Sequence, residues 1–251
     1  MLRLTALLLS VILVTAACSD GGDAVDVYAA SSLTDVLPRV VERYQMQHPD
    51  ADINLVFGGS QALATQIEEG APADIYIAAN RTQAQRLVDA NVATRPVVLA
   101  ESTLVIAVRK DAPWLTVDEI AAARPRVAVA ASGVPVGGLT EAALDAMEPS
   151  IADALRAGIV TRDPSVRVVL SRVELGEADV AFVYATDIPS ADGVRAIALG
   201  EQPPSNQYVA ALVTNGGQVP GSDVESFFTF LAGTTAETAF VESGFPLVAG
   251  N

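Results

Sequence analysis

Cysteine and histidine are almost absent from the sequence, with one of each among 251 residues. A single cysteine cannot form a disulfide within the chain, and one cysteine with one histidine cannot build a thiol–imidazole metal site or a Cys–His nucleophile pair. His48 lies in the polar segment Gln47-His48-Pro49-Asp50, which predicts a surface loop and not a catalytic base. Since there is also no Gly-x-Ser-x-Gly motif, we expect no enzymatic activity.

Basic residues are also scarce: the chain has 15 Lys and Arg against 30 Asp and Glu, and its formal net charge is -15. Nucleic-acid binding requires clustered Lys and Arg, so we expect no nucleic-acid partner, and the charge argues equally against docking on anionic lipid. The glycine-rich segment Gly133–Gly138 lacks the Gly-Lys-Ser/Thr ending of a phosphate-binding P-loop. Asp187 is a single carboxylate, expected at the surface or as a capping group.

Long apolar runs are missing except at the N-terminus. Arg3 precedes the apolar stretch Leu7–Val14, and small residues follow up to Cys18. This stretch is too short to span a bilayer comfortably, so residues 1–17 are predicted to be a cleaved signal peptide of an exported protein. The placement of Cys18 resembles a bacterial lipobox, which implies lipidation of Cys18, a tether over residues 18–23 and anchoring to the outer face of the cytoplasmic membrane. An ordinary signal peptide that leaves an incidental cysteine is the alternative.

From Val25 onward, strand-like and helix-like segments alternate, and this order predicts parallel sheets covered by helices. The first helix should begin near Leu33, where Pro38 would kink its first turns. Thr116 and Glu119 predict a capping box at the start of another helix. The predicted strands are Val25–Ala30, Ile53–Phe57, Asp74–Ala78, Leu104–Val108, Val127–Ala131, Ile159–Thr161, Val180–Tyr184, Val194–Leu199 and Tyr208–Thr214.

The number of alternating segments predicts two α/β units and therefore two lobes. The segment Glu201–Asn206 contains two prolines and is a candidate for a return crossing from the second unit to the first. The pattern of strands and helices alone leaves two other arrangements open, a one-lobed fold and two domains that follow each other in sequence.

Five residues at the ends of strands and the starts of helices form the candidate ligand site. Ser32 and Ser60 each follow a strand and precede a helix, so a hydroxyl and an amide can face one ligand, although both serines could be plain helix N-caps. Val136 and Val166 stand at two further helix starts and can offer only backbone N–H groups. Tyr184 ends a strand, which lets its hydroxyl reach a cleft. Converging helix N-termini expose unpaired N–H groups and bind anions without Lys or Arg.

Four segments that occur in order along the chain combine these serines and strand ends. They are Val27-Tyr28-Ala29-Ala30-Ser31-Ser32-Leu33, Phe57-Gly58-Gly59-Ser60, Gly70-Ala71-Pro72-Ala73-Asp74-Ile75-Tyr76-Ile77-Ala78-Ala79 and Val180-Ala181-Phe182-Val183-Tyr184. Together they resemble the molybdate-binding proteins of bacterial ABC importers. The resemblance implies an α/β periplasmic-binding-protein fold of type II, with a mainly parallel sheet flanked by helices in each lobe and the ligand cleft between the lobes. It implies residues 24–103 and 206–251 for the first lobe and residues 104–205 for the second.

The same resemblance implies a function for the candidate site. Its five residues would bind molybdate or tungstate as an oxyanion, with no cofactor and no direct metal-cation ligand. Lobe closure around the anion would present a monomer to the membrane permease of an ABC importer. Sulfate or another tetrahedral oxyanion is the alternative ligand. Two other classes stay open, an exported hydrolase that uses His48 and a surface lipoprotein that only contacts other proteins.

Overall fold

The computed structural model describes residues 24–214, 217 and 219–246. The predicted signal peptide, the predicted lipidation of Cys18 and the predicted tether lie outside these residues. Over the described ranges, no helix combines the length and the apolar character that crossing a membrane requires. Strands and helices alternate along the chain and build a nine-stranded sheet flanked by helices.

The first part of the chain forms three parallel strands, each followed by a helix. The strands are β1 (Val25–Ala30), β2 (Ile53–Gly58) and β3 (Ile75–Ala78), and the helices are α1 (Leu37–Gln45), α2 (Ser60–Glu68) and α3 (Arg81–Asp89). α2 ends just before Gly70, which adopts a φ of 94°, and α3 begins where the Asn80 side chain accepts a 2.9 Å hydrogen bond from the Gln83 amide. Because the three strands run in one direction, their carboxyl ends meet at one sheet edge.

The first helix differs from the prediction at its start. A 3-10 turn over Ser31–Leu33 follows β1, and α1 begins only at Leu37. Pro38 therefore stands in the first turn of α1, where an N–H would have no acceptor within the helix and where the fixed φ of proline suits the helix. The predicted kink at Pro38 is wrong because the chain before Leu37 is not part of the helix.

The second part of the chain begins with the long strand β4 (Ala93–Arg109), of which the sequence pattern predicts only Leu104–Val108. The predicted capping box is confirmed, since the Thr116 hydroxyl accepts a hydrogen bond from the Glu119 amide at 3.2 Å. The pattern does not predict helix α6. The elements are α4 (Val117–Ala123), β5 (Val127–Ala130), α5 (Pro135–Ala146), α6 (Pro149–Ala157), β6 (Ile159–Asp163), α7 (Val166–Glu174), β7 (Val180–Tyr184) and β8 (Val194–Ala198).

The last three elements return to the first part of the chain. They are β9 (Ser205–Val213), α8 (Ser222–Leu231) and α9 (Thr234–Glu242). β9 inserts between β3 and β4 and runs antiparallel to both. The sheet order is β2-β1-β3-β9-β4-β7-β5-β6, with β8 also paired to β4. Two domains in simple succession are therefore excluded, because the last strand completes the sheet that the first strands begin.

β4 and β9 connect the two halves of the molecule. Residues 93–103 of β4 pair with β9, whereas residues 104–109 pair with β7 and β8. We call the half that contains β1–β3 and β9 the first lobe, and the half that contains β5–β8 the second lobe. A continuous cluster of buried apolar side chains extends through both halves, and a second cluster lies beneath α2 and α3.

Candidate functional site

One cavity between the lobes is lined by all five residues of the candidate site. It is narrow, with a volume of about 10 Å³, and lies where β1, β2 and β7 end and where α2, α5 and α7 begin. A larger depression of about 400 Å³ surrounds His48 at the opposite, amino end of β1. A choice of ligand site by cavity size alone would therefore favour the depression around His48 over the cavity at the helix N-termini. The candidate residues that line the smaller cavity are Ser32, Ser60, Val136, Val166 and Tyr184.

Ser60 is the first residue of α2 and is not its N-cap. Gly59 occupies the N-cap position, and the buried Ser60 Oγ accepts a 2.9 Å hydrogen bond from the Ala79 amide at the end of β3. The Tyr76 hydroxyl donates to the Ser60 carbonyl oxygen at 2.7 Å and fixes the backbone from the other side. The N-cap interpretation of Ser60 is wrong. Ser60 Oγ accepts this bond and keeps its own proton, which it can donate to a ligand.

Ser32 lies in the 3-10 turn after β1, and it is not an N-cap either, since Ala30 takes that position without a side-chain bond. Ser32 Oγ is buried and has no hydrogen-bond partner among the described residues. The Tyr208 hydroxyl is likewise buried and has no partner at full hydrogen-bonding geometry among the described residues; burial raises its pKa above the usual range, and the nearby Ser32 and Thr186 hydroxyls oppose this shift. Buried polar atoms normally have partners, so two unsatisfied hydroxyl groups of this kind indicate space for a polar ligand or water.

Val136 and Val166 lie in the first turns of α5 and α7, where backbone N–H groups have no acceptor within the helix. Pro135 has no N–H, so Val136 carries the first amide of α5 that can donate. An added Cβ at Gly137 would lie 2.1 Å from the Ala131 carbonyl oxygen. Only glycine therefore lets the start of α5 pack this closely against the chain leaving β5.

Tyr184 ends β7 and is fully buried. Burial raises the pKa of its hydroxyl well above the usual value, so the group stays neutral and can donate. Asn206 Nδ2 donates to Tyr184 Oη at 3.4 Å. Sequence reasoning does not identify Asn206 as a site residue, although a polar residue at the start of an apolar strand is a signal that could have done so.

Asp187 and Arg167 lie behind the cavity, and the sequence pattern marks neither as a site residue. Asp187 caps the turn after β7 by accepting the Tyr184 amide at 3.1 Å, as expected, but it is buried and not at the surface. Burial raises the pKa of Asp187 to about 7, and the neighbouring Arg167 guanidinium opposes this shift. Arg167 Nε lies 3.5 Å from Asp187 Oδ1. No local sequence signal reveals this pair, because it depends on packing between α7 and the turn after β7.

His48 is exposed and stacks on Tyr44 with ring centroids 4.2 Å apart, so the predicted surface position is confirmed. Within the residues that the structure describes, no group of three or more His, Cys, Asp or Glu side chains could hold a metal ion. Neutral hydroxyl and amide groups surround the cavity, and the Arg167–Asp187 pair lies beyond them.

Comparison with curated proteins identifies relatives along the whole described chain. The molybdate-binding protein ModA of Mycobacterium tuberculosis is 30% identical over 172 residues, which cover 67% of this chain and 64% of the relative. The chain thus matches slightly less than two thirds of that relative's length. The Escherichia coli ModA protein is 29% identical over 247 residues, with 89% of each chain covered.

Solved structures and a family model agree with this comparison. The Azotobacter vinelandii periplasmic molybdate-binding protein superposes with a TM-score of 0.75 at 17% identity and covers 89% of this chain and 99% of its own. The sulfate-binding protein SubI of Mycobacterium tuberculosis superposes with a TM-score of 0.78 at 15% identity. The match covers 90% of this chain and 88% of SubI. These likenesses confirm the predicted two-lobed α/β fold. The model of bacterial extracellular solute-binding proteins matches residues 25–246, and the chain belongs to that family.

Proposed function

We propose that the chain binds molybdate, and tungstate in the same way, between its lobes and delivers the anion to the permease of an ABC importer. The observation that carries the proposal is the convergence of the five site residues on one cavity, where the buried Ser32 hydroxyl has no partner among the described residues. The relatives named as molybdate-binding proteins support the same ligand.

The donor chemistry of the cavity suits an oxyanion. Ser60 Oγ and Tyr184 Oη each accept a bond from a fixed N–H group, so their protons remain for the ligand. The hydroxyl of Ser32 and the amides of Val136 and Val166 add donors from both lobes. Hydrogen bonds to a charged acceptor are about twice as strong as neutral ones, so an array of neutral donors can hold a dianion without a basic side chain.

Binding is proposed to proceed by closure of the lobes. Gln61 Nε2 donates across the cleft to the Pro164 carbonyl oxygen at 3.1 Å, so the two lobes touch at the cavity. An anion that bonds to both lobes binds the closed arrangement more tightly than the open one and shifts the population toward it. We propose that the permease recognises this closed form.

We also propose the lobe limits and the cellular location expected from the sequence. The switch of pairing partners along β4 after residue 103 supports a first lobe of residues 24–103 and 206–251 and a second lobe of residues 104–205. Membership of an extracellular solute-binding family supports export through a signal peptide over residues 1–17. Lipidation of Cys18 would hold the protein as a monomer at the outer face of the cytoplasmic membrane. The proposed role is transport, without catalysis or cofactor.

Sulfate is the second candidate ligand. The sulfate-binding protein SubI shares the fold, and none of the proposed donors distinguishes molybdenum from sulfur by its chemistry. Discrimination between the two tetrahedral dianions would depend on cavity size and donor spacing.

Calorimetric titration with molybdate, tungstate, sulfate and phosphate tests the proposal. We expect one-to-one binding of molybdate and tungstate, lost in the double variant Ser32→Ala, Ser60→Ala. Ser150→Ala, which changes a hydroxyl at the start of α6, is the matched control and should bind as the wild type does. Binding of sulfate alone would keep closure but change the ligand. The absence of binding to all four anions would refute the anion site and favour a protein-contact role.

A further inference from the structure

Arg167 directly follows the proposed donor Val166 in α7, but its side chain reaches the opposite lobe. Its Nη2 forms an ion pair with the Asp35 carboxylate, and its Nε donates to the Ser31 carbonyl oxygen at 3.3 Å. Both acceptors belong to the first lobe, in the turn between β1 and α1. Ser31 is the residue immediately before Ser32, so this contact ends beside a proposed ligand donor.

The same guanidinium is also fixed within the second lobe. Its Nη1 donates to Ser190 Oγ at 2.9 Å, and its Nε lies 3.5 Å from Asp187 Oδ1. The side chain of Asp187 is fully buried, and that of Arg167 is 24% exposed. Within its own lobe Arg167 is therefore held by the Nη1–Ser190 hydrogen bond and by the charge of Asp187, while Nη2 and the Nε N–H group contact the other lobe.

We propose that Arg167 is a positioning residue that latches the closed lobes and sets how long a bound anion is retained. This inference rests on the proposed function, because it concerns the same cavity. Arg167 is not among the residues that line the cavity. Its guanidinium instead ties the turn that carries Ser32 to the helix start that carries Val166, and so fixes the spacing between donors of the two lobes.

The chemistry of the contacts explains why an arginine suits this place. A planar guanidinium has five N–H donors and can bond to several acceptors at once, whereas a lysine ammonium is a point charge. The ion pair with Asp35 is half exposed and contributes little by itself. The bond to the Ser31 carbonyl and the nearby buried Asp187 make the contact specific. The guanidinium charge also opposes the repulsion between the Asp187 carboxylate and a dianion in the cavity.

The dissociation rate of bound anion tests the latch. Radiolabelled molybdate is bound to wild type and to Arg167→Gln, and its release is followed after dilution into unlabelled molybdate. We expect release to be faster by roughly tenfold in Arg167→Gln, within the usual range of coupling between linked sites. Arg86→Gln is the matched control, because Arg86 also bridges two elements, to Glu68 and Thr65, but within the first lobe alone. Its release rate should stay within twofold of wild type.

Asp35→Asn distinguishes the contact of Arg167 across the cleft from its contact with Asp187 in the second lobe. It removes the ion pair across the cleft but leaves Arg167 beside Asp187. We expect a smaller increase in release rate than for Arg167→Gln, and no further increase when the two changes are combined, because both act on one contact. Equal release rates in Arg167→Gln and Arg86→Gln, or additive effects of Arg167→Gln and Asp35→Asn, would overturn the latch.

A second measurement does not depend on the ligand. Spin labels on Gln66→Cys in α2 and Asp153→Cys in α6, in a Cys18→Ser background, report the distance between the lobes. If the wild type binds none of the four oxyanions, the proposed function fails. The distance distribution measured without anion then still tests whether Arg167 holds the lobes together. A longer mean distance in Arg167→Gln than in Arg86→Gln supports it, and identical distributions refute it.

Discussion

At the residue scale, the polar atoms of the cavity have hydrogen-bonding roles that their neighbours fix in advance. Ser60 Oγ and Tyr184 Oη both accept from N–H groups, which leaves each hydroxyl to act as a donor. A ligand that meets donors already in place loses little free energy to reorganisation of the protein. An oxyanion that carries a proton would need an acceptor, whereas the array offers mainly donors: the amides of Val136 and Val166 cannot accept, and the Ser60 and Tyr184 hydroxyls already accept one bond each. The array should therefore favour fully ionised anions.

Gly59 is the first-lobe residue whose substitution should block closure most directly. Its φ of -64° and ψ of 131° suit alanine, but an added Cβ would lie 2.4 Å from the Pro164 carbonyl oxygen of the second lobe. We expect Gly59→Ala to weaken molybdate binding by about tenfold or more, equivalent to about 1.4 kcal/mol. The unfolding free energy without ligand should change by no more than about 1 kcal/mol. Calorimetry and chemical unfolding measure the two quantities.

Gly133→Ala is the control for this substitution, because a Cβ there would meet no atom within 4 Å. Its affinity for molybdate should match that of the wild type. Equal affinities of the Gly59→Ala and Gly133→Ala proteins would show that the lobes do not approach each other at Gly59 in the bound state.

Asp187 predicts a specific dependence of stability on pH. Its pKa is raised by burial from 3.8 to about 7. Between these values the folded state keeps a proton that the unfolded state has lost, so the unfolding free energy falls as pH rises from about 4 to about 7. Asp187→Asn should remove this loss. Relative to wild type, the variant should gain stability across this window, by at most about 1.4 kcal/mol per pH unit.

Urea unfolding of both proteins between pH 4 and pH 8 measures this difference. Asp153→Asn, at an exposed position of α6, serves as the control and should show a constant difference from wild type. A constant difference for Asp187→Asn as well would mean that Asp187 is ionised throughout and that Arg167 compensates its charge fully.

At the element scale, the sequence predicts most strands and helices because their apolar residues repeat regularly. β4 is the main exception. Arg95 adopts a φ of 53°, Pro96 follows it, and the pairing with β9 shifts register between Thr94 and Val97 and again between Val98 and Ala100. These irregularities remove the alternation from which a strand is predicted. α6 is missed for a different reason, since only Met147 and Glu148 separate it from the end of α5.

The candidate site divides in the same way. Ser32 and Ser60 can be located from sequence because helix starts after strands are local features. The alternative that both serines are N-caps is wrong, since Ala30 and Gly59 take those positions. The groups that orient Ser60 Oγ and Tyr184 Oη come from the end of β3 and from β9, which no local pattern reveals. Arg167 and Asp187 belong to no recognisable sequence motif, and only the fold brings them together. Sequence reasoning thus identifies donors better than it identifies what orients them.

The position of Pro38 gives a prediction about α1. A proline in the middle of a helix costs about 3 kcal/mol, whereas one in the first turn costs little. Pro38→Ala should therefore change the unfolding free energy by less than about 1 kcal/mol. Pro149→Ala, at the first residue of α6, is the matched control with the same expectation. Chemical unfolding measures both, and stabilisation by several kcal/mol in Pro38→Ala would mean that α1 begins before Leu37.

At the scale of the whole molecule, a net charge of -15 is combined with a proposed anionic ligand. The donors of the cavity attract an anion at short range, while the surface repels it at long range. Salt screens the long-range repulsion, since the Debye length is about 10 Å at 0.1 M ionic strength. The cavity contacts are shorter than this length and are screened much less.

We therefore expect the association rate constant of molybdate to rise when sodium chloride is increased from about 10 mM to about 150 mM. The dissociation rate should change little over the same range. Rapid-mixing measurements at several salt concentrations, with choline chloride as a second salt, separate ionic strength from specific sodium effects. A fall in the association rate with salt would indicate that a locally positive surface guides the anion to the cleft.

The insertion of β9 between β3 and β4 also has a consequence for biosynthesis. A chain made from its N-terminus exposes the unpaired edges of both strands until residues 205–213 have been synthesised. Strands β4 to β8, in contrast, can pair with one another as soon as residue 198 is available. The second lobe can therefore fold first, although the first lobe begins the sequence. The first lobe is thus the part of the chain whose sheet stays incomplete longest.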